Sequence, residues 1–409
     1  MRLSTAEISQ TSISAILDQQ SQLNHTQQQL STGRRIVTPA DDPAGAAQAL
    51  NLQSAIDTNT QLQKNGDAAT ARLNLEQSSL TQVQNVLQRV RTLTLQANNG
   101  TQTNESRSSI AAELSQSLKS LISLGNTRDS NGEYIFAGSQ TSTQPFTQTP
   151  TKTFTYSGDA AQRFLQIDSS RQVATNDPGS AVFMQIANGN GTFTAVPGTP
   201  ATPTTPATTN TGSGIIDPGS VTDASAYTGD TYSIQFTNAT TYAVVDTTTG
   251  TTVLSNQTYQ SDSSISFAGI QTSISGTPAT GDTFTIAPSG QQSVFQTVQN
   301  IVDTLNTPTS SDASNAKLHN SINQQLSALD QALGNIINKQ AGVGSRLTAI
   351  SSQQSLQQDW GVQLKSAQSK IQDVDYAKAI SQYQLQLTGL EAAQKTYTQV
   401  QGLSLFKYI

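Results

Sequence analysis

Cysteine is absent from all 409 residues, so the chain can form neither a disulfide nor a thiolate-held metal site. Charge is scarce as well: 12% of residues are charged and 34% hydrophobic, with Gln, Ser, Thr and Asn filling much of the remainder. That is low for a single enzyme with a large core and suits thin elements that share surfaces with neighbours. The length allows two or three domains. With a net charge of -6 and no cluster of Lys or Arg, nucleic-acid binding has no electrostatic support. There is no run of about 18 apolar residues, so no membrane span is expected. The opening MRLSTAEISQTS lacks the charged, apolar and small-residue regions of a secretory signal. Read bare, that places the chain in the cytoplasm, and it leaves open export by a route that reads a different address.

What the sequence does have is heptads. Ile322, Leu329, Ile336, Val343 and Ile350 fall seven residues apart, and Leu326, Leu333 and Leu347 fill the offset of four, with Gln340 the one polar member. This spacing describes a helical seam that lies along other helices. A matching seam runs between Ala69 and Ala97, where Leu73, Leu80 and Leu87 repeat every seven beside Val83, Val90 and Ala97. The two ends of the chain are therefore expected to pack together, with everything between them an excursion.

Narrower stripes occupy the two tails. In Ser4 to Val37, Ile16, Leu23, Leu30 and Val37 keep a spacing of seven with Ile13 on the same face, amid many Gln. One such stripe cannot hold an isolated helix, because nucleation is unfavourable and most helix stability comes from packing. Thr38-Pro39-Ala40-Asp41-Asp42-Pro43 then breaks the pattern. Pro39 pushes Thr38 out of the helical region, and Asp42 is placed to cap a helix that has Pro43 in its first position. By itself that is an ordinary helix start. Near the other end, the seam changes phase at Asp373-Val374-Asp375. Beyond it Tyr376, Tyr383, Leu390 and Tyr397 form a new series, with Ile380 and Leu387 beside it.

Between the tails, helical spacing runs from Ala44 to about Asn98, roughly 80 Å at 1.5 Å per residue. Asn65-Gly66 is its weak point, and Asn98-Asn99-Gly100 is its expected C-cap. A further helix is expected over Asn104 to Leu124, then a short strand at Tyr134–Phe136. Short strands follow at Thr153–Tyr156, Phe164–Ile167, Ala181–Ile186, Thr192–Val196, Tyr232–Phe236, Tyr242–Asp246, Ile265–Phe267 and Phe284–Ile286. Pro197, Pro200, Pro203 and Pro206 mark an exposed extended loop that lasts to Gly214. Helical spacing resumes at Ser293, stops at Thr307-Pro308 and restarts near Asp312. The expected class is α+β: a long antiparallel helical bundle or coiled coil made from both chain ends, with an inserted antiparallel β-rich domain. Residues 1–40 with 374–409 form the terminal helices, 41–146 with 291–373 the bundle, and 147–290 the insertion.

Catalytic and ligand-binding patterns do not assemble. His25 and His319 each lie on an expected helix without a second ligand at the spacing that holds a metal. Gly189-Asn190-Gly191 and Gly342-Val343-Gly344 lack the rest of a phosphate loop. Asp129-Ser130-Asn131-Gly132 has no Glu at the offset a calcium loop requires, so it reads as a turn. The pairs Asp41/Asp42 and Asp373/Asp375 sit where caps and phase breaks account for them, and Trp360 is expected to pack in the seam. No nucleophile and base share a pattern, so neither an enzyme nor a cofactor site is indicated.

Longer motifs do match a known family. Leu30-Ser31-Thr32-Gly33-Arg34-Arg35-Ile36, followed by Ala40-Asp41-Asp42-Pro43-Ala44-Gly45, resembles the amino-terminal signature of bacterial flagellins and their relatives. Gly342-Val343-Gly344-Ser345-Arg346-Leu347 and Asp373-Val374-Asp375-Tyr376-Ala377 resemble the carboxy-terminal one. Three stretches favour the hook-associated branch over flagellin: Met1-Arg2-Leu3-Ser4-Thr5, the run Asn131 to Ser139 with Pro145-Phe146 after it, and Leu403 to Ile409. Gly281-Asp282-Thr283-Phe284-Thr285-Ile286 also resembles a strand motif of hook-associated outer domains.

The resemblance implies an extracellular structural subunit at the hook–filament junction, one that templates flagellin growth. It further implies export through the flagellar type III apparatus without a cleaved signal, and an export chaperone on the carboxy-terminal helix. The implied partners are other hook-associated proteins, flagellin and identical copies in a ring, with neither nucleic acid nor membrane. Joined to the stripe pattern, it makes Ile13, Ile16, Leu23, Leu30, Tyr376, Ile380, Tyr383, Leu387, Leu390 and Tyr397 the candidate assembly interface. Those stripes are expected to stay bare in one chain and to order when neighbours cover them. A flagellin-type filament subunit is the alternative within the class. A sugar-binding or catalytic module in the insertion, or an intracellular coiled-coil scaffold, are alternatives outside it.

Overall fold

Helix starts follow the oxygens the sequence supplies. In the computed structural model, which describes residues 5–199 and 209–402, six α-helices are present: α1 (Thr5–Thr32), α2 (Pro43–Ala97), α3 (Asn104–Gly125), α4 (Val294–Leu305), α5 (Asp312–Gln372) and α6 (Tyr376–Gly402). Side-chain oxygens accept the bare first-turn N–H groups of several of them. Asp42 takes Gly45 N–H at 2.9 Å, Thr103 takes Ser106 N–H at 3.2 Å, Ser293 takes Gln296 N–H at 3.0 Å and Asp375 takes Lys378 N–H at 3.1 Å. The motifs Met1–Ser4 and Leu403–Ile409, and Pro200, Pro203 and Pro206, lie outside the described residues.

The chain divides into two units, Gly66–Ser351 and the two tails up to Asn65 and from Ser352. In the first, Leu73, Leu80, Val83, Leu87 and Val90 of α2 share one buried core with Ile322, Leu329, Ile336, Val343 and Ile350 of α5. Leu114 and Leu121 of α3 and Phe295, Val298 and Ile301 of α4 join it. Each such side chain contributes about 1.5–3 kcal/mol on leaving water. Phe146 anchors the far end, with ring centroids 5.0 Å from Phe295 and 5.2 Å from both Phe183 and Tyr156.

Two expected strands near those rings take other forms. Tyr134–Phe136 makes only a single bridge, Tyr134 to Arg128. Phe136 instead sits in a buried turn, where its carbonyl accepts Gly179 N–H at 2.8 Å and the Tyr156 hydroxyl at 2.9 Å, leaving nothing for a ladder. Ala181–Ile186 is a π-helical turn (Ser180–Met184) followed by the two-residue strand Ile186–Ala187. Val182 and Phe183 of that turn are both fully buried in the core shared with α2 and α5. Asn335 of α5 fixes that turn by donating to the carbonyls of Ala181 (3.1 Å) and Val182 (2.9 Å).

The insertion is antiparallel throughout its strand ladders. Its larger sheet has the order Thr251–Thr258, Thr241–Asp246, Tyr232–Asn238, Thr283–Pro288, Phe193–Pro197. A smaller sheet centres on Ile270–Ser275. The two close over Phe193, Ile234, Val244, Ile265, Ile274 and Phe284. Thr251–Thr258 carries no alternation in its sequence, because nearly all its residues are exposed.

Other expectations also shift. Asn65 and Gly66 are both helical, since a glycine penalty of about 1 kcal/mol is small beside packing along a 55-residue helix. Trp360 is exposed, not packed. Gln357 and Leu364, the next steps of seven along α5, are buried, and Trp360 between them is not.

Candidate assembly surface and helix-break clamp

The two tails pack against one another. The unit formed by residues up to Asn65 and from Ser352 holds α1 and α6 side by side. They run antiparallel: Gly33, just past α1, lies against Tyr376 at the start of α6, while Gln19 lies against Gly389. Leu23, Thr26, Ala379 and Leu390 are buried here.

That burial corrects the expectation that the whole stripe stays bare in one chain: Leu23 and Leu390 are each only 9% exposed. Two helices in contact cover the line where they touch and no more. Ile16, Leu30, Tyr383 and Tyr397 are half-covered. Ile13 (44%), Ile380 (47%), Tyr376 (54%) and Leu387 (39%) face outward. The ten candidates thus split into a pairing line and an outer face. Sequence spacing missed Leu17, Leu385 and Val400, which are also exposed but fall outside the seven-residue series.

The structure also joins the two breaks. α5 ends at Gln372 and α6 begins at Tyr376, so the expected phase shift is a true interruption. The chain after α1 pairs with that gap: Arg35 N–H donates to Gln372 O at 2.7 Å, and Val374 N–H to Gly33 O at 2.9 Å. Arg34 and Asp373 face each other in an antiparallel bridge. The Arg35 guanidinium donates to Ile371 O from Nε (3.2 Å) and Nη2 (2.8 Å), satisfying a carbonyl that the ending helix leaves open. Its Nη2 also meets Asp42 Oδ2 at 3.1 Å.

Asp41 closes the loop from the other side. Its Oδ2 accepts the N–H groups of Thr38 (2.8 Å) and Val37 (2.9 Å), its Oδ1 the Thr38 hydroxyl (3.0 Å), and His25 Nε2 lies 3.0 Å away. The Thr38 N–H, above all, holds the Asp41 carboxyl at about 2, with Val37, the Thr38 hydroxyl and His25 adding to it. Gly45 N–H, then Arg35, lower Asp42 in the same way. Gly33 has φ +70°, and a Cβ on it would come 3.0 Å from the Tyr376 hydroxyl. At Gly45 an added Cβ would lie 2.4 Å from Asp42 Oδ2 and 2.9 Å from Ile36 Cδ1.

His25 is therefore paired across 16 residues with a carboxylate, and His319 Nδ1 lies 2.7 Å from Asn98 Oδ1. Asp129 closes its turn by accepting Asn131 N–H at 2.9 Å and meets Arg72 at 3.0 Å. Among the described residues no three His, Cys, Asp or Glu side chains gather as a metal site. Nor is any described helix long and apolar enough to cross a membrane.

Comparison with known proteins matches this geometry. A family profile described as the bacterial flagellin N-terminal helical region matches residues 3–141, and one for the C-terminal helical region matches 326–409. Residues 205–288 match the D2-like domain of flagellar hook-associated protein 1. Flagellar hook-associated protein 3 of Escherichia coli is 28% identical over 408 residues, 100% of this chain and 99% of that one. The crystal structure of flagellar hook associated protein-3 from Legionella pneumophila is 33% identical with a TM-score of 0.73, covering 78% of this chain and 98% of that one. Xanthomonas campestris FlgL is 33% identical with a TM-score of 0.71, covering 78% and 99%.

Proposed function

The chain belongs to the flagellar hook-associated protein 3 family, whose members are structural components of the bacterial flagellum, and from that premise we propose an adaptor at the hook–filament junction, completed by its neighbours. One observation carries the mechanism. The terminal pair buries the line where its helices touch and leaves Ile13, Tyr376, Ile380 and Leu387 facing outward on well-formed helices. Adjacent copies in a ring, and at its two rims other hook-associated proteins and flagellin, supply the missing cover. Residues 1–40 with 374–409 then form the inner, assembly-coupled layer, 41–146 with 291–373 the bundle, and 147–290 the outward insertion.

Burial at about 25 cal/mol per Å² makes each contact modest, so assembly requires many contacts made together on a template. The subunit leaves the cell by the flagellar type III route, and a chaperone covers the outer face of α6 beforehand. The clamp at residues 33–45 and 371–376 sets where the inner layer stops, because both breaks are tied by main-chain bonds.

Deleting the gene in a flagellated strain tests this. Hooks should form while flagellin escapes unpolymerised into the medium, and the Leu387→Asp variant should fail to restore filaments. Normal filaments on the deletion strain would overturn the reading. The filament-subunit alternative makes the opposite forecast: the purified chain alone should grow long filaments. Its insertion matches a hook-associated domain, which argues for the adaptor.

A further inference from the structure

Arg346, in the motif Gly342 to Leu347, takes no part in the terminal surface or the clamp. It lies on α5 beside two acids. Its guanidinium pairs with the carboxylate of Asp177, and its Nη1 donates to Ala174 O at 3.3 Å. Asp177, itself buried, donates its backbone N–H to Oε1 of Glu76 on α2 at 3.0 Å. Glu76 is only 2% exposed, and its Oε2 has no hydrogen-bond partner.

Charge counting shows what that orphan oxygen needs. Asp177 and Arg346 are the charged groups that act on Glu76. One carboxylate and one guanidinium already balance. A second carboxylate would leave a buried excess negative charge, which costs far more than protonating it. Two ionised carboxylates cannot hydrogen-bond each other, whereas an acid proton on Oε2 supplies a donor for Asp177.

We propose that Glu76 is carried as the neutral acid and shares its proton with Asp177, so that Glu76, Asp177 and Arg346 form a proton-linked latch tying residues 174–179 to α2 and α5. The same segment goes on to give Gly179 N–H to Phe136 O at 2.8 Å, just before the π-helical turn. Ionising Glu76 therefore strains the attachment at the base of the insertion. Burial, first, and then the charge of Asp177 push the Glu76 carboxyl from its ordinary 4.5 up to about 8. The sign is that of a raised acid: its favourable share of stability is intact below 4.5 and fades as pH climbs to about 8.

Thermal unfolding of the full chain and of Glu76→Gln, followed from acid to alkaline pH, tests the latch. The glutamine variant should match the parent near pH 4.5 and gain a Tm advantage that widens until about pH 8. A pH-independent offset would overturn the proposal. Infrared spectroscopy at neutral pH should find a protonated-carboxyl band in the parent that Glu76→Gln abolishes; a parent without that band would also overturn it. Asp177→Asn supplies a further check, because Arg346 is then free to pair with Glu76. The band should vanish in that variant while the chain still folds, and its persistence would count against the shared proton.

Discussion

In the unit Gly66–Ser351, the seven-residue series of α2 and α5 is buried from end to end, from Leu73 to Val90 and from Ile322 to Ile350. In the terminal pair the same spacing leaves Ile13, Tyr376, Ile380 and Leu387 open and covers only Leu23 and Leu390 fully. The two patterns look alike as text. What differs is the number of neighbours: the α2/α5 seam is wrapped by α3, α4 and the aromatic cluster, whereas α1 and α6 meet along one line. An apolar stripe thus records that a helix has a partner, and only the count of partners tells whether the chain supplies it.

Cutting the α2/α5 seam should have the largest effect. Leu329→Ala is expected to cost about 2–5 kcal/mol, read as a lower denaturation midpoint with unchanged slope. Next, Leu23→Asp should loosen the α1/α6 pair by about 2 kcal/mol, seen as faster amide exchange in residues 10–30, while the unit Gly66–Ser351 melts as before. Equal loss in both regions would erase the contrast between the two units.

Arg35→Ala removes the side-chain donors to Ile371 O and should cost the clamp about 1–2 kcal/mol, detected as faster exchange of the backbone N–H groups at positions 35 and 374. At the small end, Leu387→Asp should alter melting by no more than about 0.5 kcal/mol yet abolish assembly, the sharpest separation of folding from function. Acid gives a last and mild test. The folded Asp41 carboxyl sits at about 2 against an ordinary 3.8, so its contribution is complete above 3.8 and is lost as pH falls through 2. Glu76 has the opposite sign, being raised to about 8.

Much of this was legible in the residues. The heptads of α2 and α5, the Asp42-Pro43 helix start and the strand-rich character of the insertion follow from period, capping chemistry and composition, all local properties. The clamp was not legible, although both its halves were. Arg35 and Ile371 are 336 residues apart, and nothing in either stretch says that the carbonyl left open by one helix end will be met by an arginine after another. Trp360 misled because a large apolar ring usually packs, yet it belongs to the terminal unit and stands 55% exposed there.

From its own order of residues, this chain determined where helices begin and end, which faces are apolar, and that its two ends carry matching seams. Tertiary structure alone decided which apolar residues would still be bare. Burial depends on how many surfaces converge at a point, and that number belongs to the arrangement of all the helices, not to the spacing along any one of them.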